Sequence, residues 1–241
     1  MSNPIELPSV IFGGFLSYAG HYNSMQENLE SITGHKVTIV NTKGFDWLPV
    51  ITIQGWIYLL RKLDQAVIQA ANSNSGGDVT IYAHSIGGIL ARIYLLKDPF
   101  PGEKFHGRGA VTQLITLGSP HSNKGGVTRG GLLTRWLSKY YPGGTNVPGV
   151  TYTSIAGKYI CGNNTGSTRE HWVYQNYKSV CGRGDVWGDG LIPVKCALLE
   201  ESVKIVLDGV SHAQIFGKPW YGDKDVMAKI MKALGENSGA P

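Results

Sequence analysis

Val79-Thr80-Ile81-Tyr82-Ala83-His84-Ser85-Ile86-Gly87-Gly88 is the stretch from which the rest of the 241-residue chain is read. Residues 79–83 are short, β-branched and aromatic, the composition of a strand buried on both faces of a sheet. A helix is predicted to begin near Ile86. Ser85 then stands at the tip of a strand-turn-helix, a turn that holds its central residue in a strained backbone conformation. The residues two places before and after it must be small to avoid clashing with one another. Ala83 and Gly87 meet that condition, with alanine standing where glycine is the usual occupant. The turn lifts the serine oxygen above the sheet, beside the free N–H groups and dipole of a helix N-terminus, which favour developing negative charge. A tight turn with an incidental serine is the bland alternative, and the strand-to-helix setting argues against it.

Working outward, short apolar runs alternate with longer segments of helical period. Strands are predicted at 10–12, 37–40, 79–83, 114–117, 152–156 and 203–207, and helices at 22–32, 53–71, 86–96 and 223–234. In the second helix Ile53, Ile57, Leu60, Leu63, Val67 and Ala71 recur on one face, opposite Arg61, Lys62, Asp64 and Gln65. This alternation predicts an α/β fold, a mostly parallel sheet with helices on both faces. A single domain over residues 1–241 is expected, with excursions at about 121–149 and 157–188. Residues 128–140 read as a basic amphipathic helix, Leu132, Leu133, Trp136 and Leu137 against Arg129, Arg135 and Lys139. Residues 157–188 show little regular pattern.

A serine that transfers acyl groups needs two backbone N–H donors aimed at the oxyanion. One would come from Ile86, the residue after it. The other belongs on the loop leaving an earlier strand, and Val10-Ile11-Phe12-Gly13-Gly14-Phe15-Leu16 runs into a glycine pair that lets backbone approach substrate. Phe15 is the expected donor. The serine also needs a histidine to accept its proton and a carboxylate to orient that histidine. His212 follows the last predicted strand, where its loop would hang over the serine. His121, past another strand end, is the competitor, and His84 adjoins the serine but points elsewhere on a sharp turn. For the acid, Asp189 precedes Gly190-Leu191-Ile192-Pro193, while Asp185 belongs to the glycine-rich excursion and Asp208 reads as a turn residue before Gly209. The chain order Ser85, Asp189, His212 is that of one hydrolase fold and differs from both protease orders.

Composition narrows the function classes. The chain carries 33 glycines, about twice the ~7% share usual in soluble proteins, with 42% hydrophobic residues and a net charge of +5. Global disorder and a collagen-like repeat are excluded. Fifteen of the glycines fall between Gly118 and Gly190, and residues 121–184 hold eight basic side chains against one acid, Glu170, so that this stretch carries +7 and the remainder −2. Eight aromatics accompany them, among them Trp136, Tyr159 and Trp172. Rings and cations together suit a lipid–water interface, so a lid or a peripheral contact with an anionic membrane surface is expected; a solvated face with structural aromatics is the alternative. No nucleic-acid motif accompanies the charge, so no nucleic-acid partner is expected. Gly87-Gly88 lacks the lysine of a phosphate loop, and neither metal-ligand spacing nor a cofactor motif occurs. Three cysteines are no disulfide framework, although Cys161 and Cys181 flank an excursion that a bridge could close. The first residues lack the basic and apolar runs of a secretory signal, and the expectation is a cytoplasmic protein, soluble or peripherally attached to a membrane.

From Val10 to His212 the chain resembles the lipases and esterases of the α/β-hydrolase family, in particular small bacterial lipases with alanine at the first elbow position. The matching pieces are Phe12-Gly13-Gly14-Phe15-Leu16, Ala83-His84-Ser85-Ile86-Gly87-Gly88, Leu117-Gly118-Ser119-Pro120-His121, Asp189-Gly190-Leu191-Ile192-Pro193 and Gly209-Val210-Ser211-His212. Gly13-Gly14 stands where His-Gly is frequent, which leaves the oxyanion donor open by one residue. More loosely, the chain is similar to lipase-like hydrolases of cyanobacteria and plastids. The resemblance implies an α/β-hydrolase fold with a cap or lid excursion and a serine carboxylic-ester hydrolase that needs no cofactor. Acylglycerols or membrane glycerolipids, galactolipids included, would be its substrates. A thioesterase or acyltransferase would use the same residues, and a catalytically silent lipid-binding protein could stand on the same fold.

Overall fold

The computed structural model describes residues 7–73, 77–97, 99–100, 102–122, 131–144 and 147–238. Six parallel strands form the main sheet: β1 (Ser9–Phe12), β2 (Val37–Ile39), β3 (Val79–His84), β4 (Val111–Leu117), β5 (Thr151–Lys158) and β6 (Val203–Asp208). Their spatial order is β2-β1-β3-β4-β5-β6. The helices are α1 (Asn23–Thr33), α2 (Ile53–Asn72), α3 (Ile86–Leu95), α4 (Gly131–Tyr140), α5 (Thr168–Cys181), α6 (Val194–Ala197) and α7 (Lys224–Ser238).

Each strand's two-residue period feeds two cores. Val10, Phe12, Ile81 and Ala83 pack with Leu59, Leu63 and Val67 of α2 and Ile89 and Ile93 of α3. Ile11, Tyr82, Ile115 and Leu117 point the other way, against Met25 and Leu29 of α1 and Met227 and Ile230 of α7. Nearly continuous apolar strands are the expected consequence of burial on both faces. All six predicted strands and four predicted helices occur with shifted ends. β4 starts at Val111 rather than Leu114, because Val111 and Gln113 pair with Val79 and Thr80 of β3 across a register shift at Thr112, although Thr112 and Gln113 read as polar.

Residues 157–188 differ most from expectation. They contain α5, fourteen residues long, and a two-strand antiparallel ribbon of Ile160–Cys161 and Trp187–Gly188. α5 buries only Val173, Tyr177 and Val180, a stripe too thin to register as periodicity, and its ends carry the signal. Glu170 accepts the Ser167 N–H at 2.7 Å while the Ser167 hydroxyl accepts the Glu170 N–H at 3.4 Å. That reciprocal pair is a capping box, and Gly182 closes the helix at φ 81°. No disulfide closes the excursion: Cys161, Cys181 and Cys196 are all free. The predicted helix at 128–140 is present from Gly131 as α4; its first residues, with Lys124 and Arg129, lie outside the described residues.

β5 runs close beneath the loop that follows β6. A Cβ on Gly157 would lie 2.2 Å from the Val210 carbonyl oxygen and 3.0 Å from the Asp189 Cβ. Gly157→Ala is expected to lower the free energy of urea unfolding by about 1–3 kcal/mol through overpacking. Gly109→Ala, where a Cβ meets nothing within 4 Å, is expected to shift it by less than about 0.5 kcal/mol.

Candidate active site

Ser85 joins β3 to α3 with φ 56° and ψ −132°. For a residue with a side chain this conformation costs about 1–3 kcal/mol and persists only where surroundings impose it. The surroundings do. The Ser85 N–H donates to the Leu117 carbonyl at 2.9 Å, and its carbonyl accepts the Gly88 N–H at 3.1 Å. The loop after β1 presses on the turn from the other side: a Cβ on Gly14 would lie 2.7 Å from the Ser85 Cβ, and one on Gly87 2.3 Å from the Gly13 oxygen.

His212 follows β6 and is 3% exposed. Its Nε2 is 3.1 Å from the Ser85 Oγ and its Nδ1 is 2.8 Å from the Asp189 Oδ2. A carboxylate only accepts, so Nδ1 carries the ring proton, and Nε2 of the neutral ring accepts from the serine hydroxyl. Asp189 is fully buried. Its Oδ1 accepts the N–H groups of Leu191 at 3.0 Å and Ile192 at 2.7 Å, and its Oδ2 also accepts the Tyr221 hydroxyl at 3.0 Å. With His212, four donors satisfy the carboxylate, which offsets its removal from water. The two loops are tied as well, the His212 N–H donating to the Asp189 carbonyl at 2.8 Å.

The competing residues lie elsewhere. His121 is buried with Nε2 on the Thr116 hydroxyl at 2.9 Å. Asp185 forms an exposed ion pair with Arg183, and Asp208 one with Lys158. On the loop after β1 the Gly14 N–H already donates to the Tyr22 hydroxyl at 3.0 Å. Phe15 N–H has no hydrogen-bond partner among the described residues. Ile86 N–H opens α3, a position that makes no intrahelical bond. Sequence reasoning missed Tyr22, Tyr177 and Tyr221. Tyr177 accepts the Gly190 N–H at 2.8 Å, and Tyr221 accepts the Gly157 N–H at 2.6 Å while donating to Asp189. No sequence pattern marks these three, since each reaches the site through tertiary packing.

Apolar side chains flank the site on two sides. The Phe216 ring meets His212 edge-on at 6.0 Å and stacks with Trp172, while Ile215 is 88% exposed. The loop after β1 carries exposed Phe15, Leu16 and Tyr18, and a 3-10 helix over Gly44–Ile51 bears exposed Phe45, Leu48 and Ile51. The Trp47 indole N–H donates to the Ser17 carbonyl at 3.0 Å and locks the two segments together. The apolar face of the predicted amphipathic helix packs inward: Leu133 and Leu137 of α4 are buried in the core, and buried Arg92 donates to the carbonyls of Tyr141 and Gly143 just beyond its end. Among the described residues no group of three potential metal ligands occurs, and no helix is long and apolar enough to cross a membrane.

No family model matches the chain, and no curated protein matches it in sequence. Solved structures do. A lipase of Bacillus licheniformis in its mature form superposes with a TM-score of 0.63 at 15% identity, over 97% of this chain and 94% of that one. A phospholipase of Legionella pneumophila gives 0.63 at 15% identity, over 95% of this chain and 60% of the other. An α/β hydrolase enzyme from the metagenome of Moroccan lagoon sediments gives 0.53 at 15% identity, over 97% and 92%. The mostly parallel six-stranded sheet with its surrounding helices is thus the α/β-hydrolase fold.

Two buried histidines give the fold a directed pH dependence. Burial pushes the His84 and His121 imidazoles well below the usual 6.5, with His212 beside the first and Arg92 beside the second adding to the effect. Below pH 6.5 the unfolded chain takes up protons that the folded chain refuses, so stability present above that pH is lost as pH falls. Each histidine is expected to contribute up to about 1.4 kcal/mol per pH unit to that loss. Urea unfolding between pH 7.5 and 5 measures it, and His84→Gln should remove one histidine's share of the slope.

Proposed function

We propose that the chain is a serine carboxylic-ester hydrolase that releases fatty acid from acyl lipids through an acyl-enzyme. The observation that carries this reading is the His212 ring between the Ser85 hydroxyl and the Asp189 carboxylate, at 3.1 and 2.8 Å. As His212 Nε2 takes its proton, Ser85 Oγ bonds to the ester carbonyl carbon, and the carbonyl π pair moves onto oxygen. Phe15 N–H and Ile86 N–H hold that oxyanion. Collapse expels the alcohol, which leaves with the proton from His212, and a water activated by the same nitrogen then attacks the acyl-enzyme to free the acid and restore Ser85. Asp189 keeps the ring in the required tautomer throughout and stabilises its protonated form.

Lipid substrates are supported by the apolar flanks of the site and, as analogy, by the lipase and phospholipase whose folds are similar. Membrane glycerolipids, galactolipids among them, are the proposed class, met through a peripheral contact. Phe45, Leu48 and Ile51 carry that contact, because an exposed apolar set on a segment tied through Trp47 to the loop after β1 brings that end of the sheet to headgroup depth.

Ser85→Ala is expected to abolish labelling by a fluorophosphonate probe and to lower ester turnover by about 10⁴-fold or more, with thermal unfolding unchanged or raised. Persistent labelling of the variant would remove this mechanism. Incubation of the purified protein with a total lipid extract, followed by identification of the species that lose acyl chains, tests the substrate class. Replacing Phe45, Leu48 and Ile51 together by serine should reduce co-sedimentation with vesicles while leaving turnover of a short water-soluble ester intact.

A further inference from the structure

The geometry points to the His84 side chain as a positioning residue that, with Tyr22, clamps the oxyanion loop and the histidine loop to each other; the inference rests on the ester-hydrolase reading. His84 immediately precedes Ser85, yet its ring turns away from the reacting oxygen and is 5% exposed. Its Nε2 lies 2.9 Å from the His212 carbonyl oxygen, and its Nδ1 lies 2.8 Å from the Tyr22 hydroxyl. The Tyr22 oxygen in turn accepts the Gly14 N–H at 3.0 Å.

Elementary hydrogen-bond chemistry gives this chain one direction. A carbonyl oxygen only accepts, so Nε2 must carry the His84 proton and Nδ1 of the neutral ring must accept. The Tyr22 hydroxyl therefore donates to Nδ1, which leaves its oxygen free for Gly14. Every buried group along Gly14, Tyr22, His84 and His212 is satisfied, and reversing any one bond would orphan another. Burial supports the same direction, disfavouring the imidazolium of His84 and the phenolate of Tyr22.

The consequence is mechanical. Gly14 and His212 are far apart in sequence and belong to loops that leave β1 and β6, strands separated in the sheet by β3, β4 and β5. One loop carries Phe15 and the other the proton acceptor, and their relative placement must hold to a fraction of an ångström for both to serve the same carbonyl. His84 is well placed for that task because the rigid strand β3 that presents Ser85 presents it too. A simple core histidine would support stability and leave the kinetic constants of the folded protein alone.

The test uses the full chain, a p-nitrophenyl ester as substrate, and three variants. Tyr22→Phe is expected to lower kcat by about tenfold or more with KM within about twofold of wild type, since misplaced oxyanion donors affect the transition state rather than binding. His84→Leu should fall at least as far. His84→Gln, whose amide presents an acceptor and a donor at nearly the ring's spacing, should recover most of what leucine loses. Wild-type kcat in Tyr22→Phe, a loss confined to KM, or a glutamine variant as impaired as the leucine one would each overturn the proposal. Should His84→Leu fail to fold, the Tyr22→Phe and His84→Gln pair decides. Amide hydrogen exchange at Gly14 supplies a readout independent of turnover: it should be slow in wild type and accelerate by about tenfold or more in Tyr22→Phe. Unchanged exchange would overturn the clamp, whereas a wild-type protein that neither labels nor hydrolyses esters would overturn the enzymatic reading instead.

Discussion

The backbone of Ser85 is the constraint on which the remaining structure turns. A residue with a side chain does not hold φ 56° and ψ −132° unaided, so packing on several sides has to maintain it. Strand β4 supplies one restraint through the Leu117 carbonyl, and the first turn of α3 supplies another. The loop after β1 supplies the third, approaching so closely that neither Gly14 nor Gly87 has room for a Cβ. Strain at Ser85 and the close approach of the loop that carries Phe15, the proposed oxyanion donor, are therefore one packing arrangement seen from two sides.

Charge is handled with similar completeness. Asp189 is out of contact with water, and an isolated carboxylate there would be prohibitive. Two backbone N–H groups, Tyr221 and His212 share its four acceptor sites. Because three of those donors are fixed by backbone or by a buried ring, the carboxylate cannot swing away from His212 without leaving them unpaired. Orientation of the imidazole follows from the acid's own need for partners.

Much of this was legible in the sequence because it is written in local patterns. The alternation of short apolar runs with helical periods specified the six strands, and the residues around Ser85 specified the elbow. His212 could be ranked above His121 from its loop after the last predicted strand, and Asp189 above Asp185 from the Gly190-Leu191-Ile192-Pro193 turn that follows it. Other features left weaker traces. α5 buries too few side chains to show a period, although Ser167, Glu170 and Gly182 mark its ends. The amphipathic pattern of α4 was clear, but the pattern alone did not say what its apolar face meets; Leu133 and Leu137 join the core. Tyr22, Tyr177 and Tyr221 were invisible, since a tyrosine that reaches across the fold to one oxygen or one amide imposes no spacing on its neighbours.

The strand order carries a consequence for biosynthesis. From β3 onward each strand is laid beside its predecessor in the order in which the ribosome delivers it, β3, β4, β5 and then β6. His212 lies just past β6, so a growing chain can fold the elbow and lay down the strands before β6 while still lacking its proposed proton acceptor. In the proposed mechanism Ser85, Asp189 and His212 come together only once β6 has formed, so a chain stalled before His212 keeps a serine without the base proposed to activate it.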